Sequence, residues 1–202
     1  LMSCTQQCRR LAKCQAECTP IPTPSTVMLR TALRFVLRGV ALRLLRVRAT
    51  YSAATVEVLR HERVIVCSNH VSLLDGVIVA LTSPVPLTFG VDTDFSRHSK
   101  VASRGMATLA WLGFGAVVPI DGSSPFGIRS LSKALDRGES VMLFPEGKIS
   151  ETGCPNPDQP GVVWLAHRSG AEVVRIRIRG AERSRLFAKS GDRFWPRIEI
   201  QF

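Results

Sequence analysis

His70 and Asp75 stand five positions apart in the segment Cys67-Ser68-Asn69-His70-Val71-Ser72-Leu73-Leu74-Asp75-Gly76. A carboxylate hydrogen-bonded to one imidazole nitrogen holds the ring in a single tautomer, and the other nitrogen can then accept a proton from an incoming hydroxyl. With a hydroxyl-bearing substrate, these two side chains suffice for general-base activation of a nucleophile. By itself the spacing also fits a loop histidine beside a helix-capping aspartate. A second charged segment, Phe144-Pro145-Glu146-Gly147-Lys148, adds a carboxylate and an ammonium. Its proline fixes the backbone and its glycine lets the chain approach a ligand closely. Lys148 is a candidate phosphate contact, or else the ion-pair partner of a buried Glu146.

The flanking residues say how these groups are held. Val64-Ile65-Val66 is a β-branched run that reads as a buried strand ending at His70, and Val77-Ile78-Val79-Ala80-Leu81 reads as a buried helix. Asp75 then falls in the first turn of that helix, where unpaired amides favour a carboxylate. Ser140-Val141-Met142-Leu143 reads as a strand running into the second segment. Both charged loops thus leave strand ends, where open α/β sheets build their sites. Further strands are expected at 47–51, 54–59, 85–90, 116–120, 173–179 and 197–202, and helices at 124–136 and 162–169. Ser83-Pro84 stops the helix after Asp75, and 106–115 reads as an apolar helix end whose Trp111 and Phe114 fit either core or acyl-chain contact. On 173–179, Arg175, Arg177 and Arg179 alternate onto one face, a basic stripe or a charge-guarded sheet edge. His98, in a polar stretch, reads as a surface residue.

Asn69 to Gly76 together with Phe144 to Gly147 resembles the glycerophospholipid acyltransferase family, whose two best-known blocks are His-x-x-x-x-Asp and Phe-Pro-Glu-Gly. The likeness is closest to the lysophospholipid acyltransferase domains of bifunctional acyl-ACP synthetase/2-acylglycerophosphoethanolamine acyltransferases, and it runs from about Met28 onward. Val117-Val118-Pro119-Ile120-Asp121, Ile149 to Gly153 and Arg177 to Glu182 carry it as well. The resemblance implies an α/β fold, a central mixed sheet flanked by helices like that of glycerol-3-phosphate acyltransferase. It implies His70 and Asp75 as catalytic residues, with Asn69, Ser72, Gly76, Phe144, Pro145, Glu146, Gly147 and Lys148 around the substrate. The donor would be acyl-ACP or acyl-CoA and the acceptor a lysophospholipid, with no cofactor and no metal. Family members specialised for glycerol phosphates usually carry an arginine shortly after the strand at 116–120. Asp121-Gly122 stands there instead, which argues for an acceptor with a larger headgroup, unless Arg129 substitutes.

The chain has 202 residues, enough for one well-buried α/β domain, and a formal net charge of +11. That balance favours anionic partners. From Val27 to Val47 the sequence is apolar but carries Arg30, Arg34, Arg38, Arg43 and Arg46 and no acid. So many arginines do not suit a spanning helix. The stretch reads as a basic amphipathic helix at a membrane interface, with Arg30, Arg34 and Arg38 among lipid phosphates and Phe35 in acyl chains. The alternative is a helix packed on its own domain with a solvated basic edge. The expected organisation is a Cys/Pro-rich leader at 1–26, the interface helix at 27–48 and the acyltransferase domain at 49–202, on the cytoplasmic face of the inner membrane. Cys4, Cys8, Cys14 and Cys18 lie in the leader, which is expected to be disordered or to precede a true start near Met28. Two other classes fit parts of the pattern: a catalytically silent basic membrane module, and a nucleic-acid-binding protein. The second lacks any nucleic-acid motif and any interleaving of aromatic with basic residues.

Overall fold

The computed structural model describes residues 24–92, 110, 113–120 and 125–202. Seven strands form one mixed sheet: β1 (Val47–Thr50), β2 (Val64–Ser68), β3 (Leu87–Asp92), β4 (Gly115–Ile120), β5 (Val141–Leu143), β6 (Glu172–Arg179) and β7 (Ile198–Gln201). Their spatial order is β1-β7-β6-β2-β5-β3-β4, and β6–β7 is the antiparallel pair. The helices described over their whole length are α1 (Pro24–Leu44), α2 (Ala53–His61), α3 (Asp75–Thr82), α4 (Pro125–Asp136) and α5 (Gly161–Ser169), with a short 3-10 turn at Ala181–Arg183.

All five residues of β2 are buried. A parallel strand covered on both faces needs apolar residues at every position, and Val-Ile-Val-Cys supplies them. On one face Val64, Val66, Val174, Ile176 and Ile178 pack with Leu59 of α2 and Ile78 and Val79 of α3. On the other, Ile65, Cys67 and Val141 pack with Leu131, Ala134 and Leu135 of α4 and Leu165 of α5. Pairing of β2 with β5 sets Cys67 opposite Leu143. The two charged loops therefore emerge side by side from the same end of the sheet.

Most expected elements are present within a few residues of their anticipated bounds, but 54–59 is a correction. It lies in α2, not in a strand. Thr55, Val56, Val58 and Leu59 turn inward while Ala53, Ala54, Glu57 and Arg60 face solvent, which is the helical period. The apparent alternation of Val56 and Val58 with Thr55 and Glu57 gave the wrong period. A second difference concerns the basic stripe: β6 is an interior strand, so Arg175, Arg177 and Arg179 lie on an open sheet face, not on an edge. Arg175 pairs there with Asp158 at 2.6 Å.

Helix α1 is laid on the domain in an unusual sense. Its half-buried residues include Arg34 and Arg38, whereas Met28, Leu29, Phe35, Val36, Val40 and Leu44 are exposed. The Arg34 guanidinium lies over the buried Phe114 ring at 4.8 Å. Arg38 and the Tyr51 hydroxyl both donate to the carbonyl of Thr82, the last residue of α3, where a cation also meets the negative end of the helix. These two arginines thus have protein partners, and the outward face of α1 is mostly apolar, with the exposed Arg43 on it near its C-terminal end. The Arg30 side chain, the leader cysteines, His98, Trp111 and Asp121-Gly122 lie outside the described residues.

Candidate active site

Asp75 opens α3 and its carboxylate reaches back over the preceding loop. Oδ2 accepts the backbone N–H groups of Val71 at 2.7 Å and Ser72 at 2.8 Å, and lies 3.1 Å from His70 Nδ1. The Asp75 side chain is fully buried and that of His70 is 19% exposed. Two fixed backbone donors on Oδ2 aim its remaining lone-pair density at the ring. Nδ1–H is then the donor and Nε2 carries the free lone pair. Burial pushes the Asp75 carboxyl above the usual range, opposed by the hydrogen bonds from His70, Ser72 and Val71. Oδ1 is buried without a partner.

The ring is fixed in plane as well as in tautomer. Phe144 stacks on His70 with centroids 3.9 Å apart and planes 12° from parallel. The parallel register of β2 and β5 makes that stack possible, since each ring follows its strand by a short step. Gly76 borders the stack without being required by it, because a Cβ there would lie at an ordinary contact of 4.0 Å from Phe144 Cε2.

Backbone clamps hold His70 from both sides. Its N–H donates to Glu146 Oε1 at 3.0 Å, and its carbonyl accepts the Ser150 N–H at 2.8 Å. The other Glu146 oxygen accepts the Asn156 N–H at 2.8 Å. Glu146 is 2% exposed and its two oxygens take backbone amides, while Lys148 is exposed. Gly147 turns the chain at φ +72°, a conformation that L side chains adopt rarely. The carbonyl of Pro145 accepts the Gln159 N–H at 2.7 Å, tying the loop to the segment before α5. Asn69 extends the pairing of β2 with β6: its amide exchanges hydrogen bonds of 2.9 and 2.8 Å with the carbonyl and N–H of Ile178. Ser72 is buried, and its hydroxyl accepts the Leu74 N–H at 3.1 Å.

The structure thus brings together His70, Asp75, Asn69, Ser72, Gly76, Phe144, Pro145, Glu146 and Gly147. It adds Ser150 and Asn156, whose backbone amides no sequence pattern marked. Ser150 lies in Ile149 to Gly153, a segment visible only by resemblance, and Asn156 sits among prolines without period. Cys67, one residue before the loop, is buried, and its thiol is pushed up to about 11, so it is protonated at neutral pH.

Replacing Glu146 by glutamine puts an amide donor against one of two backbone donors and leaves a buried N–H unpaired. The expected loss is about 1–3 kcal/mol, read as a lower denaturant midpoint at unchanged slope. A midpoint equal to the parent's would mean that the two amides do not depend on this carboxylate.

Comparison with known proteins bears on this arrangement. A family model described as Acyltransferase matches residues 52–179, which contain both charged loops. Among solved structures, the crystal structure of the 1-acyl-sn-glycerophosphate (LPA) acyltransferase, PlsC, from Thermotoga maritima aligns with a TM-score of 0.53. It is 17% identical, over 88% of this chain and 75% of that one. At that identity the likeness concerns the fold.

Proposed function

The chain belongs to the Acyltransferase family, and from that premise we propose that it moves a fatty acyl group from an acyl-ACP or acyl-CoA thioester to the free glycerol hydroxyl of a lysophospholipid. The observation that carries this reading is the 3.1 Å pairing of His70 Nδ1 with a buried Asp75 oxygen, on a ring that keeps a window to solvent. His70 Nε2 takes the hydroxyl proton as the oxygen attacks the thioester carbonyl carbon. The tetrahedral intermediate collapses, the carbon–sulfur bond breaks, and the imidazolium returns the proton to the departing thiolate. No covalent acyl-enzyme is required, in keeping with a Cys67 thiol held protonated in the core. Phe144 and Glu146 serve by fixing the base, and positioning contributes much of the rate.

The exposed apolar residues of α1 support a peripheral place at a membrane surface, which we propose to be the cytoplasmic face of the inner membrane. An ordered helix with Met28, Leu29, Phe35, Val36 and Val40 outward has the character of an interfacial anchor. Arg34 and Arg38 would latch that anchor to the domain. Among the described residues no helix is long and apolar enough to cross a membrane.

Acyl transfer by the purified protein to a panel of lysophospholipids in liposomes, with both thioester donors, tests the reading. Transfer to acceptors whose phosphate bears a headgroup, as in the synthetase-linked domains the sequence resembles, is the expected result. Preference for lysophosphatidate would assign it as a 1-acylglycerol-3-phosphate acyltransferase. Absence of transfer to every acceptor and from either donor would overturn the proposal.

A further inference from the structure

The segment 184–197, between the 3-10 turn and β7, is tightly built yet presents apolar side chains to solvent. Arg185 N–H donates to the Arg193 carbonyl at 2.7 Å, and Arg193 N–H donates to that of Arg183 at 2.8 Å. Gly191 passes so close to the Ser184 carbonyl that a Cβ would collide with it. Even so, Leu186 is 51%, Phe194 61% and Trp195 50% exposed. A chain so constrained cannot fold these groups inward. Cations accompany them: Arg185 lies over the Phe194 ring at 5.1 Å, and Arg46 donates to the Trp195 carbonyl at 3.1 Å.

The topology sets this segment at the catalytic end of the sheet. It leaves the carboxyl end of β6, which is parallel to β2, and the loop that carries His70 leaves the same end of β2. It also joins two other features of that end. Trp195 Nε1–H donates to the Leu44 carbonyl in the last turn of α1, beside the exposed apolar face. Leu73 N–H, three residues after His70, donates to the Phe187 carbonyl at 2.9 Å, and the Leu73 side chain is itself exposed.

We propose that residues 184–197 form a second bilayer contact that, with α1, sets the mouth of the His70 site against an anionic membrane surface. Leu186, Phe194 and Trp195 enter the headgroup–acyl boundary, and Arg185 and Arg46 meet lipid phosphates. The surface commits to a lipid occupant on three grounds. Its charge is complementary, it exposes the amphipathic Trp195 beside the apolar Phe194 and Leu186, and Trp195 ties it to the last turn of α1, where Leu44 is exposed as well. Through the Leu73–Phe187 hydrogen bond the contact also positions the catalytic loop, so that an acceptor lipid reaches His70 without leaving the interface. This part rests on the proposed acyl transfer, whereas the bilayer contact itself does not.

The test uses the full chain with Trp111 and Trp164 replaced by phenylalanine, leaving Trp195 as its reporter, and vesicles of phosphatidylcholine and phosphatidylglycerol containing brominated lipid. Trp195 fluorescence is expected to be quenched on binding. Leu186→Ser/Phe194→Ser, with an unchanged far-ultraviolet spectrum, is expected to weaken vesicle binding about tenfold or more, given the apolar area removed from the bilayer. In the same variant the apparent KM for a vesicle-borne acceptor rises while kcat/KM for a short-chain, monomeric acceptor holds. Vesicle binding without quenching of Trp195, or failure to bind vesicles at all, would overturn the contact. Equal KM values for the vesicle-borne acceptor would overturn its link to the site. Quenching without transfer to any acceptor would leave the contact standing and count against the proposed function instead.

Discussion

His70→Ala lowers acyl transfer by about 10²–10⁴-fold, the range lost when a positioned general base is removed, while the fold and vesicle binding persist. The backbone, not the imidazole, holds the loop. His70 N–H bonds to Glu146 and its carbonyl accepts from Ser150, and neither depends on the side chain. Asp75 Oδ2 keeps its two backbone donors after the ring is gone. What disappears is the Nε2 lone pair, together with the stack on Phe144. The loss should therefore fall on kcat, with KM for the acceptor little changed, because a missing base weakens the transition state more than the bound ground state. Single-turnover transfer from a labelled thioester, measured beside vesicle co-sedimentation, separates these terms. Transfer within threefold of the parent would show that another group removes the hydroxyl proton.

The parts of this site legible in the sequence are those fixed locally. A β-branched run followed by Asn69, His70 and Asp75 determines a strand end, a loop and a helix start within a dozen residues, and the structure keeps that order. Phe144 to Gly147 was legible as a charged loop at a second strand end for the same reason. Its internal roles were not. That Phe144 stacks on His70 and Glu146 seats the His70 amide depends on β2 and β5 lying side by side, a pairing across about 75 residues. Helix α2 shows the opposite limit: in a nine-residue element, the short alternating run from Thr55 to Val58 can mask a helical period. For α1 the amphipathic pattern was readable but its sense was not. Arginine normally faces water, and the Phe114 ring, the Tyr51 hydroxyl and the Thr82 carbonyl, all distant along the chain, turn Arg34 and Arg38 inward. The closure of 184–197 rests on backbone hydrogen bonds, which leave no mark in residue types beyond Gly191 at the close approach to Ser184.

Asp75→Asn separates the orienting role of the carboxylate from its charge. Val71 and Ser72 N–H groups both point at Oδ2, so the amide oxygen must take that place, where it still accepts from His70 Nδ1. The tautomer survives, but the imidazolium formed during transfer loses its counter-charge. At a separation of about 4 Å and an effective dielectric near 20 that interaction is about 4 kcal/mol, so kcat should fall roughly 10²–10³-fold. Stability moves in a pH-dependent way. Burial raises the folded-state pKa of Asp75 above its unfolded value of about 3.9. Between those two pKa values the native state holds a proton that the unfolded state has released. The parent is therefore most favoured below the unfolded pKa, and it loses stability as pH rises through the folded pKa. Asparagine has no such slope, though its amide NH₂ occupies the buried Oδ1 position, which has no partner. The difference in melting temperature, parent minus variant, should accordingly shrink as pH is raised from below 4, then level off above the folded pKa. A difference that grows with pH would mean that the three donors on Oδ2 outweigh burial and that the carboxylate is held ionised at a stabilising site.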